Sequence, residues 1–196
     1  MSVQGHVVAV HRARAAPLLA GGRSVVSAIR KTRIEGPVDV GPLGLDGDEQ
    51  ADPTVHGGLA KAVYAYPHEH YAFWRTVRAQ ARVAGWDAAL PTGAVGENLT
   101  TLGVLEGDGW IGDRWVFASG LVLAVSEPRL PCFKFNAAMG FAQASRLMMQ
   151  SGYCGCYLAV LQPGKVTAGD AFRIEPGPRE LSLRELFDAR RARAAD

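Results

Sequence analysis

The sequence is short of cysteine, of net charge and of long apolar runs, and each shortage removes a class of protein. Three cysteines in 196 residues, an odd number without scaffold-like spacing, exclude a small disulfide-stapled secreted domain. No stretch approaches the roughly 20 apolar residues that a membrane-spanning helix needs, so no membrane partner is expected. The first residues, Met1-Ser2-Val3-Gln4, lack the basic and apolar regions of a secretory leader. These absences favour a reducing cytoplasm. A net charge of +2, with no Lys/Arg run interleaved with aromatics, leaves no footprint for a nucleic-acid polymer.

Familiar catalytic spacings are missing as well. Ser126 lacks the Gly-x-Ser-x-Gly setting of an esterase elbow. His68-Glu69-His70 places its histidines two apart, on different faces of a helix, and is not His-Glu-x-x-His. Asp46, Asp48, Glu49 and Asp52 form an acidic loop without the order of a calcium loop. Cys154-Gly155-Cys156 has one intervening residue where redox and zinc motifs have two, and reads as structural.

What remains is a globular chain, 48% hydrophobic and long enough for one domain. Val7 to Val10, Val25 to Ile29 and Gly36 to Val40 read as strands rich in β-branched residues. A long loop from Gly41 to about Ala60 follows, and loops of that length are usually functional. Tyr71, Trp74, Val77 and Ala81 recur at helical spacing, predicting a helix from His68 to about Val83. Trp110 to Phe117 and Leu121 to Val125 flank Ala118-Ser119-Gly120 as a hairpin. A second helix is expected over Ala137 to Gln150, then strands over Tyr157 to Leu161 and Ala171 to Ile174. Ser182-Leu183-Arg184-Glu185 is a capping box opening a short last helix with Leu183, Leu186 and Phe187 on its apolar face. The sum is a β-dominated α+β domain with a partly closed, barrel-like sheet and few helices.

Three places are candidates for chemistry, each with a structural alternative: a small buried cysteine, a turn with a surface histidine, and solvated charge at a strand end. Cys132 sits in Pro128-Arg129-Leu130-Pro131-Cys132-Phe133-Lys134, at a stiff strand exit fixed by two prolines. Arg129 and Lys134 bring positive charge that favours a thiolate, the form that binds soft metals. His56 precedes Gly57-Gly58, whose backbone can approach a ligand closely. Arg30-Lys31-Thr32-Arg33 joins cations to a hydroxyl, a composition suited to phosphate.

The ordered series of segments resembles a known family. It runs from Thr32 through Gly44 to Asp52 and His56-Gly57-Gly58-x-x-Lys61-Ala62-Val63, then Tyr66-Pro67-x-x-His70-Tyr71 and Gly96-Glu97-Asn98-Leu99. It continues with Ile111-Gly112-Asp113, Pro128-Arg129-x-Pro131-Cys132, Leu161-Gln162-Pro163-Gly164-x-Val166 and Ala168-Gly169-Asp170. This series is similar to MOSC domains, named for the C-terminal domain of molybdenum cofactor sulfurase, and most of all to the YiiM-type subgroup. The resemblance implies a β-barrel-like MOSC domain over residues 1–176 and a short helical tail over 177–196, where YiiM-type proteins continue into three helices. It implies a molybdenum–pterin cofactor with Cys132 as metal ligand. Lys31, Thr32 and Arg129 would anchor its phosphate and pterin, and His56 would contact the cofactor or protonate departing oxygen. The implied activity is two-electron reduction of N-hydroxylated small molecules, hydroxylaminopurine bases or amidoximes. Electrons would come from a redox partner protein, and a homodimer is left open. A second reading makes Cys132 the persulfide or transfer site of a sulfur-carrier or cofactor-handling module.

Overall fold

Val7, Ala9 and Val10 are buried in a nine-residue strand, β1 (Gln4–Arg12), with a bulge between Val7 and Ala9 shifting the inward alternation. In the computed structural model, which describes residues 4–52 and 57–193, β1 both opens and closes the sheet. The chain continues through β2 (Ala16–Ala20), β3 (Arg23–Ser27), β4 (Thr32–Ile34), β5 (Val38–Gly41), β6 (Gly44–Leu45) and β7 (Val63–Pro67). It then forms α1 (Tyr71–Gln80), β8 (Leu99–Leu102), β9 (Arg114–Phe117) and β10 (Val122–Pro128). After α2 (Phe133–Met139) and α3 (Ala144–Ser151) come β11 (Cys156–Gln162), β12 (Gly164–Val166), β13 (Ala171–Glu175) and α4 (Leu183–Arg193).

Seven strands, in the order β13-β9-β10-β11-β7-β8-β1, form a barrel that closes where β1 pairs with β13. The pairing of β7 with β8 is parallel and the others are antiparallel. β4 extends β1, β5 and β6 form a small sheet with β12, and β2–β3 stands apart as a hairpin. The expected barrel-like, β-dominated fold is therefore present, and the barrel is fully closed rather than partly.

β7, Val-Tyr-Ala-Tyr-Pro, is buried at all five positions because it separates two cores. Val63 and Ala65 join the barrel interior with Leu99, Trp115, Leu123 and Phe172. Tyr64 and Tyr66 point the other way, into a layer with Trp74, Phe135, Met139, Met148 and Phe187. The Trp74 indole donates to the Tyr66 hydroxyl at 2.6 Å, and Tyr66 donates to the Tyr153 carbonyl at 3.0 Å. A strand buried on both faces loses the polar–apolar alternation that marks strands in sequence, so β7 reads only as part of the glycine motif before it.

The single helix expected over Ala137 to Gln150 is two helices. Gly140 adopts φ 84°, a left-handed conformation that ends α2. Asn136 Oδ1 then accepts the Ser145 amide at 2.7 Å, pinning the start of α3 to α2. The first expected helix begins in a short 3₁₀ turn (His68–His70) and buries Tyr71 and Trp74, whereas Ala81 is exposed beyond its end. The strand expected over Trp110 to Phe117 begins only at Arg114, and Trp110 instead bridges Ser182. The capping box forms as expected, with the Glu185 amide donating to Ser182 Oγ and the Ser182 amide to Glu185 Oε2. No helix among the described residues is long and apolar enough to cross a membrane.

Barrel closure leaves no space for a side chain at Gly5. A Cβ there would lie 2.3 Å from Phe172 Cζ, and the Phe172 ring is held against Trp115 with centroids 4.4 Å apart. Gly5→Ala should therefore destabilise the fold by about 1–3 kcal/mol. A urea titration with an unchanged slope and a lower midpoint is the expected result.

Candidate active site

Cys132 lies between the last residue of β10 and the first of α2, in extended geometry with φ −121° and ψ 176°. Its carbonyl accepts from the Phe135 amide at 2.9 Å and from Ser145 Oγ at 2.9 Å. Those bonds, with Pro128 and Pro131 upstream, hold its backbone to two helices. The half-buried side chain lines a pocket with about 700 Å³ of empty space that opens to solvent. The end of β3, the acidic loop 48–52, the start of β7, β10 and β11 build its walls.

Arg129 forms part of the pocket's wall and is itself buried. Its guanidinium carbon stands 5.0 Å from the Tyr64 ring centroid and 4.7 Å from that of Phe135, and Nη1 donates to Met148 Sδ at 3.6 Å. Aromatic faces suit a delocalised cation. Burial opposes the charge, but the facing Tyr64, Tyr157 and Cys132 groups outweigh it and raise the guanidinium's proton affinity. Among the described residues no carboxylate lies within ion-pair distance of Arg129. Burial pushes Tyr64 and Tyr157 upward, so both remain neutral phenols.

Lys31 also lines the pocket, but its charge has a partner. Nζ donates to Asp48 Oδ1 at 2.5 Å and Oδ2 at 2.7 Å. Burial lowers its affinity for the proton, and Asp48 works in the opposite direction. Asp48 accepts as well from the Ala13 amide at 2.7 Å and from Asn98 Nδ2 at 2.8 Å. Asn98 in turn donates to the His11 carbonyl and accepts the Tyr64 amide, linking β1, β7 and the acidic loop beneath the pocket floor.

Thr32 is placed elsewhere. It is exposed, its hydroxyl donates to the Arg12 carbonyl at 3.2 Å, and it borders a separate shallow groove with Arg12, Arg14 and Asp46. His56 lies outside the described residues. Gly57 and Gly58 beside it meet Gln50, whose Oε1 accepts the Gly58 amide at 2.7 Å. Sequence reasoning brought Cys132, Arg129 and Lys31 to attention but passed over Asp48, Asn98, Tyr64 and Tyr157. The Asn98 motif reads as a turn into a strand and Asp48 as one of four loop acids. Only the fold shows that the two are bonded.

Residues 52–173 match the model of the MOSC domain family. The chain belongs to that family. Protein YiiM of Escherichia coli strain K12 is 36% identical over 160 residues, which cover 81% of this chain and 68% of that protein. A protein named Reductase from Gibberella moniliformis is 34% identical over 173 residues, covering 86% of this chain but 30% of the fungal protein. The crystal structure of YiiM from Geobacillus stearothermophilus matches with a TM-score of 0.74 at 28% identity, covering 98% of this chain and 86% of that one. This MOSC domain is of the YiiM type, and MOSC domains are associated with molybdenum-cofactor binding.

Two further polar clusters are buried among the described residues. His70 Nε2 lies 2.7 Å from Glu106 Oε2, and its ring stacks on Tyr153 at 3.9 Å. Glu97 Oε1 accepts from Tyr71, from Thr100 at 2.7 Å and from the Gly93 amide at 2.7 Å. Burial pushes both Cys154 and Cys156 thiols up, which keeps them protonated.

Two predictions follow the buried groups around the floor. Asp48→Ala leaves the Lys31 ammonium buried without its partner, so a loss of about 3–5 kcal/mol is expected in urea unfolding. His11 is fully buried and its pKa is lowered from 6.5, chiefly by desolvation. The unfolded chain therefore binds the proton more readily. Stability contributed above the unfolded value is lost as pH falls below about 6.5 toward the lowered folded value. The urea midpoint should drop between about pH 7.5 and about pH 5, and His11→Gln should reduce that drop.

Proposed function

We propose that this MOSC domain reduces N-hydroxylated small molecules, such as hydroxylaminopurine-like bases and amidoximes, with a molybdenum–pterin cofactor. The observation that supports this reading is Cys132 and Arg129 sharing one pocket. A soft sulfur donor there adjoins a buried cation that has no carboxylate among the described residues. Thiolates select soft metals, and the planar guanidinium fork suits phosphate and other oxyanions. The residues therefore fit a group that is anionic at one end and sulfur-liganded at the other. Cys132 would hold its metal and Arg129 its anionic part. Lys31, neutralised by Asp48, would donate a hydrogen bond without adding net charge.

The bound cofactor supplies the two-electron chemistry. The chain's own contribution is to orient the group and shield it from water. Tyr64 and Tyr157 remain neutral and hold no competing charge; the Tyr64 proton is engaged by the Cys154 carbonyl, so the Tyr157 hydroxyl is the one that can donate to an oxyanion. The overall reaction balances as R–NHOH with two electrons and two protons giving R–NH2 and water, the electrons arriving from an external redox protein.

Protein purified from cells able to make the cofactor should carry stoichiometric molybdenum, and Cys132→Ala should lose it. Arg129→Lys keeps the charge but loses the fork, so cofactor occupancy should fall by about tenfold. Loaded protein should reduce hydroxylaminopurine with a reduced viologen dye. Mobile sulfur on Cys132 without molybdenum, or no turnover by loaded protein, would overturn the reading and return Cys132 to sulfur transfer.

A further inference from the structure

Next to the pocket the chain exposes an apolar sheet face edged by basic side chains, with the Glu49 carboxylate accepting the Ala15 amide at the start of the hairpin. Residues 4–34 contain no Asp or Glu but carry Arg12, Arg14, Arg23, Arg30, Lys31 and Arg33. Lys31 is engaged by Asp48, Arg33 by Glu35, and Arg12 by the Asp46 carbonyl. Arg14, Arg23 and Arg30 are exposed and have no ion pair among the described residues. They flank the hairpin of β2 and β3, which turns at Gly21-Gly22 with φ 59° and 76°.

Alternation gives this hairpin two faces. Leu18 and Ala20 are buried on the side packed toward α2, while Leu19 is 73% and Val26 57% exposed on the other. Phe133, which adjoins Cys132 in the chain, is 52% exposed. Lys134 Nζ donates to the Val26 carbonyl at 3.0 Å, tying the hairpin to α2, and Ser27 to Ile29 go on to line the pocket. The hairpin thus adjoins the pocket that holds Cys132.

We propose that this face, centred on Leu19 and Val26, with Arg14 and Arg30 beside the hairpin and Arg23 at its tip, docks a small acidic electron-carrier protein. The inference rests on the reductase reading, which requires two electrons from outside for each N–O bond cleaved. A few exposed apolar side chains inside a charged rim suit the small, transient contacts of electron transfer, which bury less than roughly 1,200 Å². The surplus of exposed, unpaired arginine selects an acidic partner and speeds encounter. The same charge opposes a second copy of this chain, whose identical face would be repelled.

The test compares two reductants on the loaded protein. Reduced viologen is small enough to reach the pocket directly, whereas reduced flavodoxin, an acidic carrier protein, must dock. Leu19→Asp and Arg23→Glu should each lower flavodoxin-driven kcat/KM about tenfold and leave viologen-driven turnover as in the wild type. Added salt should slow the wild-type flavodoxin reaction and affect Arg23→Glu less. Equal flavodoxin-driven rates in all three proteins would overturn the proposal. Chemical-shift titration of isotope-labelled oxidised flavodoxin reads docking without turnover. Shift changes lost in both variants support the face even if the wild type proves inactive with viologen, in which case the reductase reading falls alone. No shift change with the wild type overturns the docking face. So does a dimer in sedimentation that Leu19→Asp dissociates, or retention of a short RNA that Arg23→Glu abolishes.

Discussion

A guanidinium buried under the pocket is the constraint around which the site is organised. Removing a charge from water costs several kcal/mol after relaxation, and Arg129 recovers this without a carboxylate among the described residues. Its surroundings are the Tyr64 and Phe135 rings, the Met148 sulfur and the electrostatic coupling to Cys132. Those groups come from β7, α2 and α3, so the cation can be buried only where the barrel and the helical layer meet. That junction is also where Cys132 leaves β10 and enters α2. Replacing the pairing group with a carboxylate would satisfy the arginine permanently and cancel the field that the pocket presents to an anion.

The two-sided burial of β7 makes this junction possible. Val63 and Ala65 commit one face of the strand to the barrel, and Tyr64 and Tyr66 commit the other to the helices. Tyr64 also donates to the Cys154 carbonyl at 2.8 Å, fixing the ring that covers Arg129 to the approach of β11. Glu127 of β10 pairs with Arg190 of α4 and lies 3.7 Å from Lys61. The last described helix is thus tied to the strand that delivers Cys132, and a lysine of the pocket wall shares the same carboxylate.

Legibility in the sequence followed how local each signal was. Cys132, with its flanking prolines and cations, could be found because all the informative residues lie within seven positions. The ordered motifs carried the fold because they sample the barrel from Thr32 to Asp170. Asn98 could not be read as a hub, since its partners Asp48, Tyr64 and His11 are 34 to 87 residues away. Gly140 was passed over because Phe141, Ser145 and Met148 kept a helical spacing past it. Of these, Phe141 lies in the connection between the two helices, and only Ser145 and Met148 belong to α3. Lys31 was visible as a cation but not as a neutralised one, because Asp48 sat in a loop whose acids looked equivalent.

The three cysteines show how burial divides labour among identical side chains. Cys154 and Cys156 are both enclosed, and desolvation, reinforced by the nearby Glu106, holds their protons at neutral pH. A protonated thiol is a poor metal ligand and a poor nucleophile, so neither competes for a soft metal or for mobile sulfur. Cys132 differs in having a half-exposed side chain in a pocket with Arg129, Lys61 and Lys134. It couples electrostatically to Arg129, whereas the leading charge beside Cys154 and Cys156 is the Glu106 carboxylate, with Arg129 a lesser, opposing influence on Cys154. The three thiols thus differ by burial, by neighbouring charge and by access to the pocket, not by the identity of the residue.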